Sequence, residues 1–212
     1  MDLEKYFTHG KIGKITLDTL SIGKINLPTG NIICCDPFVD IEDAGTFIQK
    51  VPKGEYPVTL CISSCDEWED RYACVKLTIT DNVPVRYEPA LTEYDTNDCF
   101  GFFVDAGMGC IIDEQARKKF SDYLASIESD DDFISIYDSI FSDLLEENAK
   151  INSKYQRSYG DWLNFTIPNS KENMTIFTSG FGDGLYPCYF GYDKNNEISG
   201  LYILFIDLED QN

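Results

Sequence analysis

Ile198-Ser199-Gly200-Leu201-Tyr202-Ile203-Leu204-Phe205-Ile206 is apolar at almost every position. That is the pattern of a central strand covered on both faces. It predicts a β-sheet with material above and below it, and the neighbouring sequence supplies further strands. Trp162 to Ile167, Met174 to Thr178 and Leu185 to Tyr192 precede it. Upstream, Tyr56 to Ile62 and Tyr72 to Ile79 are strand-like runs separated by the acidic Asp66-Glu67-Trp68-Glu69-Asp70, which predicts an antiparallel pair. Val83 to Leu91 adds an edge strand, because its prolines cannot donate to a ladder.

From Ile12 to Cys35 the pattern predicts short strands broken by a turn at Pro28-Thr29-Gly30, with Asp36-Pro37 ending the run. A loop follows from Val39 to Glu55. Cys99 to Val104 and Cys110 to Ile112 flank the turn Asp105-Ala106-Gly107-Met108-Gly109. Two helices then interrupt the strands. The first is expected from Glu114 to Ile127, with Ala116, Phe120, Leu124 and Ile127 at three- and four-residue spacing. The second has Phe133, Ile136, Tyr137, Ile140, Phe141, Leu144 and Leu145 on one face, behind an acidic cap at Glu128 to Asp132. A polar linker from Asn152 to Gly160 leads back to the strands. The expectation is one α+β domain over residues 1–212, mostly antiparallel sheet of about ten strands, with a two-helix insert at about 114–150.

Seventeen basic residues against thirty-seven acidic ones give a formal charge of −20. Such a field repels nucleic-acid phosphates and anionic lipid surfaces, so neither nucleic acid nor membrane is expected as a partner. It attracts cations or a basic protein, although solubility alone also explains an acidic surface. The start of the chain has no basic segment followed by an apolar run, and no stretch reaches a bilayer-spanning length, so a cytoplasmic protein is expected. The eight cysteines sit mostly among Ile, Val, Tyr and Phe and read as buried free thiols of a reducing compartment. No pair has zinc-site spacing, and the one histidine, His9, lies in an N-terminal segment expected to be mobile. No cofactor is expected.

Four quoted runs carry a resemblance. They are Gly30-Asn31-Ile32-Ile33 with Asp36-Pro37, Pro52-Lys53-Gly54-Glu55-Tyr56-Pro57-Val58, Phe100 to Cys110, and Ser179-Gly180-Phe181-Gly182-Asp183-Gly184-Leu185-Tyr186-Pro187. In this order the chain resembles the bacterial family catalogued as domain of unknown function 4241. The resemblance implies no activity and no catalytic residues.

Candidate site residues come from the Gly-rich turns. Gly182, Asp183, Gly184 and Tyr186, with Asp105 and Gly107, are the candidate ligand-binding set, since glycine at that density permits positive φ or close approach. A tight hairpin has the same requirement. Asp36, Asp105, Asp113 and Asp183 end strands or occupy Gly-rich turns and are candidate ligands of Ca²⁺ or Mg²⁺. The hydrolase alternative takes Asp36, Asp105 and Asp183 as ligands of a water-activating metal, with Tyr186 near the substrate. The same carboxylates have plain roles: Asp36 opens a Pro turn, Asp105 and Asp183 satisfy turn amides, and Asp113 caps the helix at Glu114. Gly180-Phe181-Gly182-Asp183-Gly184 lacks the Lys-Ser/Thr ending of a P-loop and enters a strand, which argues against nucleotide binding there. Tyr186, Tyr189 and Tyr192 recur with period three, so at least one is expected to face away from the others. With no recognisable catalytic set, the preferred expectation is a non-enzymatic acidic interaction protein, such as an immunity protein that neutralises a basic toxin. The alternative is a carboxylate-bound, divalent-metal-dependent hydrolase.

Overall fold

The computed structural model describes residues 1–96, 98–127 and 135–209. In chain order the elements are α1 (Lys5–Thr8), β1 (Lys11–Ile12), β2 (Ile15–Leu27), β3 (Ile32–Cys35), β4 (Gly54–Cys65), β5 (Trp68–Thr78) and β6 (Arg86–Pro89). Then follow β7 (Phe102–Val104), β8 (Met108–Asp113), α2 (Glu114–Ile127), a π-helical turn (Tyr137–Phe141) running into α3 (Ser142–Ile151), β9 (Trp162–Thr166) and β10 (Asn173–Thr178). The last strands are β11 (Gly184–Tyr186), β12 (Cys188–Tyr192) and β13 (Ile198–Leu204). They form a seven-stranded sheet in the order β1-β2-β4-β5-β13-β12-β6, a four-stranded sheet β3-β8-β10-β9 and a two-stranded ribbon β11-β7. Every pairing is antiparallel.

β13 lies inside the large sheet, paired with β5 on one side and β12 on the other. Ile203 is opposite Cys188, so both point to one face. Cys188 meets Cys34 of the small sheet there. On the opposite face Tyr202 is covered by the N-terminal segment: Phe7 packs edge-on at 6.1 Å, and the Tyr202 hydroxyl donates to the Glu4 carboxylate at 2.6 Å. Lys76 donates to both Glu4 oxygens, at 2.6 and 2.8 Å. The N-terminal segment is therefore not mobile as expected. Leu3 and Tyr6 are 1% and 3% exposed, and the Tyr6 hydroxyl donates to the Ile206 carbonyl at 3.1 Å.

The four-stranded sheet is covered on both faces as well. In β3, Ile32 and Cys34 join the core shared with the large sheet, whereas Ile33 and Cys35 join a second core under the helices. The alternation is the period-two geometry of a strand, here apolar on both sides. α2 contributes Ala116, Phe120 and Leu124 to the second core, where Phe141 and Leu145 close it against Phe165. The layers are thus large sheet, small sheet and helices. No helix of the described residues is long and apolar enough to cross a membrane.

Several expectations change in detail. The described residues form thirteen strands, against an expectation of about ten. Leu185 to Tyr192 splits at Pro187 into β11 and β12, which belong to different sheets, because proline has no N–H to continue one ladder. Conversely, the segments on either side of Ser21 form one long strand, β2, bent by a bulge between Ser21 and Lys24 where Gly23 takes a φ of +96°. The second helix opens as a π-helical turn, and Phe133 and the acidic cap at 128–132 lie outside the described residues. The cysteines are unpaired, six of them buried, Cys65 half-buried and Cys99 exposed.

Glu172, 6% exposed, ties α2 to the turn before β10. It accepts from Lys119 Nζ at 2.7 Å, Ser170 Oγ at 2.6 Å and Gln115 Nε2 at 2.8 Å. The Lys119 ammonium and then the Ser170 hydroxyl hold its carboxyl down at about 2. A depressed folded-state value means the unfolded chain takes up this proton first on acidification. The contribution to stability is complete above the ordinary value of 4.5 and is lost as pH falls to about 2. In urea melts across this window, wild type is expected to lose its advantage over Glu172→Gln as the pH drops.

Candidate functional site

The turn Asp105-Ala106-Gly107 between β7 and β8 is held by carboxylates from two distant segments. Asp36, at the end of β3 and 1% exposed, accepts from the backbone N–H groups of Phe38 (2.9 Å), Asp105 (3.0 Å) and Ala106 (2.7 Å). Asp183 accepts from the Gly107 N–H at 3.1 Å. The structure therefore brings Asp36, Asp105 and Asp183 around one turn. Asp105 takes part through its N–H and has an exposed side chain, while the other two carboxylates act as acceptors for turn amides. Among the described residues, no group of three or more His, Cys, Asp or Glu side chains is placed to hold a metal ion.

Tyr186 is 8% exposed and works from beneath the Gly-rich turn. Its hydroxyl is shared between the carbonyls of Gly182 (2.6 Å) and Ser179 (3.0 Å), and burial pushes its pKa up. Its ring meets Phe205 edge-on at 4.9 Å. Tyr189 instead packs on Phe100 at 5.3 Å, and Tyr192 lies under the Arg86 guanidinium at 4.0 Å. Asp113 caps α2 by accepting from the Gln115 N–H at 2.8 Å. Its second oxygen takes the N–H and hydroxyl of Thr29 and the N–H of Gly30, so one buried carboxylate also fixes the β2–β3 turn.

Above the Gly-rich turn opens a cleft of about 710 Å³, a size suited to a small molecule. Its walls are the start of β5 (Glu69 to Tyr72), the loop carrying Ser153, Tyr155, Gln156, Arg157 and Asp161, and the turn Thr178 to Gly182, with Gly107 at the base. Of the six sequence-derived ligand-binding candidates, Gly107 and Gly182 line it. Asp105, Asp183, Gly184 and Tyr186 do not.

The loop wall is fastened from several directions. Asp161, 4% exposed, accepts from the Arg157 guanidinium and backbone N–H. Gln156 Oε1 accepts from the N–H groups of Asp161 (3.0 Å) and Trp162 (3.2 Å). The Tyr72 hydroxyl donates to the Tyr155 carbonyl at 2.8 Å. Tyr155 and Lys154 both donate to Asp18 on β2, at 2.5 and 2.8 Å, and these contacts, Lys154 first, hold the Asp18 carboxyl at about 2. Facing this wall, Arg71 forms no ion pair among the described residues. Its Nη1 lies 3.5 Å from the Asp70 carbonyl, and its Nε is buried without a partner. Phe181, 61% exposed, stands at the rim with its ring edge-on to Trp68 at 5.7 Å.

The cleft residues Arg71, Gln156, Arg157 and Asp161 escape a reading of the sequence because they come from segments far apart and form no motif. The one local signal is the Arg157–Asp161 pair at four-residue spacing inside the polar linker. A family described as "Protein of unknown function (DUF4241)" matches residues 25–203, and the chain belongs to that family. No curated protein and no solved structure matches it.

Asp36→Asn removes charge from an acceptor of three backbone N–H groups and turns an amide NH₂ toward some of them. A loss of about 2–4 kcal/mol is expected, since hydrogen bonds to charged groups contribute about 1.5–3 kcal/mol each and orphaned amides add to the deficit. Asp183→Asn, with a single exposed contact, is expected to lose about 1 kcal/mol or less. Denaturant melts of the two variants check the ranking.

Proposed function

We propose that this protein is a non-enzymatic acidic interaction protein whose docking face is the outer side of the β7–β11 ribbon, and that its partner is a basic protein. The observation that carries the reading is the ribbon's outward pair. Leu185 is directly opposite Phe103, so the two side chains share a face, and they are 41% and 69% exposed. The inward residues Phe102, Val104 and Tyr186 are all buried, so the ribbon's attachment to the fold does not require Phe103 or Leu185 to be apolar. An exposed aromatic beside an aliphatic side chain is the composition of an interface anchor.

Charge specifies the kind of partner. Asp105 and Asp183 flank the pair along the two strands. An apolar centre with an anionic rim suits a partner with an apolar spot ringed by Lys and Arg, and the overall charge of −20 steers such a partner inward. Neutralisation of a basic toxin is the form of this role that fits best, because it requires fast, charge-driven association and no chemistry on the neutraliser.

Immobilised protein exposed to extract of its source cell at low salt is expected to retain a basic protein, with retention falling as salt rises. Phe103→Ser combined with Leu185→Ser should weaken that complex by tenfold or more, on the order of 1.4 kcal/mol, without lowering the melting temperature. Retention of no basic protein, or equal retention by the double variant, overturns the reading.

A further inference from the structure

The cleft beside the Gly-rich turn differs from the ribbon face in chemistry, and its polar groups have an uneven distribution of partners. The Tyr72 hydroxyl is bonded to Tyr155, the Tyr155 hydroxyl to Asp18, Gln156 Nε2 to the Asn152 carbonyl at 2.7 Å, and Ser179 Oγ to the Gly182 carbonyl at 2.7 Å. The Arg157 and Asp161 charges satisfy each other. Among the described side chains lining the cleft, Arg71 Nε is the buried polar atom that no protein group satisfies. A guanidinium carries five N–H donors in a fixed plane, remains charged at any relevant pH, and is unfavourable to desolvate without an acceptor. Of the four arginines, Arg86 and Arg157 pair with carboxylates and Arg117 donates to the Ala44 carbonyl at 2.5 Å, whereas Arg71 has a single contact, at 3.5 Å, to the Asp70 carbonyl.

We propose that this cleft is a binding site for a small organic monocarboxylate, with Arg71 as the residue that receives the carboxylate. The planar fork of Arg71 matches two carboxylate oxygens, and no side-chain carboxylate of the described residues occupies it. Glu69 and Asp70 at the same wall select against ligands of higher negative charge, so a phosphate is the poorer fit. Phe181 and Tyr155 provide apolar surface for the body of the ligand. The site rests on Arg71 and not on Phe103 or Leu185, so it stands or falls separately from the docking face.

The probes are benzoate, a carboxylate with an apolar body, and inorganic phosphate, titrated into the full-length protein while the Arg71 Nε–H resonance is followed by NMR. Benzoate is expected to shift that resonance saturably in the millimolar range, with phosphate binding more weakly. Arg71→Gln should weaken benzoate binding, read from backbone amides of Thr178 to Gly182, by about tenfold or more. Arg71→Lys, which keeps the charge but loses the fork, should recover only part of it. Absence of a saturable benzoate shift at Arg71 overturns the site, and the wild-type titration decides this even where a variant folds poorly. Tighter binding of phosphate than benzoate overturns the carboxylate assignment. Equal benzoate binding by wild type and Arg71→Gln removes Arg71 from the site.

Discussion

The four-stranded sheet has no solvent face, and most of the architecture follows from that constraint. Ile32 and Cys34 must fit against the large sheet while Ile33 and Cys35 fit against the helices, so a one-residue slip in β3 would exchange two differently shaped cores. A middle layer also leaves its turns next to apolar material, where unpaired amides are unfavourable. Buried acceptors answer this need at several of its ends: Asp36 at the end of β3, Asp113 at the end of β8, and Asn173 at the start of β10, whose side chain joins Asn164 and the β2 backbone. These polar residues are placed by the requirements of the middle layer, and their clustering near Gly-rich turns follows from it.

That origin explains why a metal-binding reading of Asp36, Asp105 and Asp183 is natural from sequence. A carboxylate at a strand end next to glycine looks the same whether it binds a cation or a row of backbone N–H groups. The difference lies in the third dimension, where Asp36 faces Asp105 and Ala106 across 69 and 70 residues of chain. Sequence spacing carries no information about such contacts.

Other parts were legible for clear reasons. α2 spans the residues expected of it because Ala116, Phe120 and Leu124 repeat at helical spacing and Asp113 supplies the cap. β6 is an edge strand, in keeping with Pro84 before it and Pro89 at its end. The central position of β13 followed from its unbroken apolar run, but its covering by Leu3, Tyr6 and Phe7 did not, since a four-residue helix has too few turns to show a period. The sequence does not show the split at Pro187, because Leu185 to Tyr192 keeps its aromatic content on both sides of the proline. The cleft leaves no trace in the sequence, because its walls meet only in the fold. In the sequence Arg71 simply follows the acidic run Asp66 to Asp70, and the burial of its Nε without a partner is a property of the fold alone.

The large sheet interleaves strands made early with strands made late. β5 and β6 both precede α2 and α3 in the chain, yet β12 and β13 are inserted between them in the sheet. A nascent chain emerging from the ribosome therefore holds β5 with an open edge until residues near 204 have cleared the exit tunnel. During that interval the apolar strand Tyr72 to Leu77 has no permanent neighbour on one side, a template on which another chain's strand can pair. That open edge is a liability of synthesis which the stability of the finished molecule does not remove.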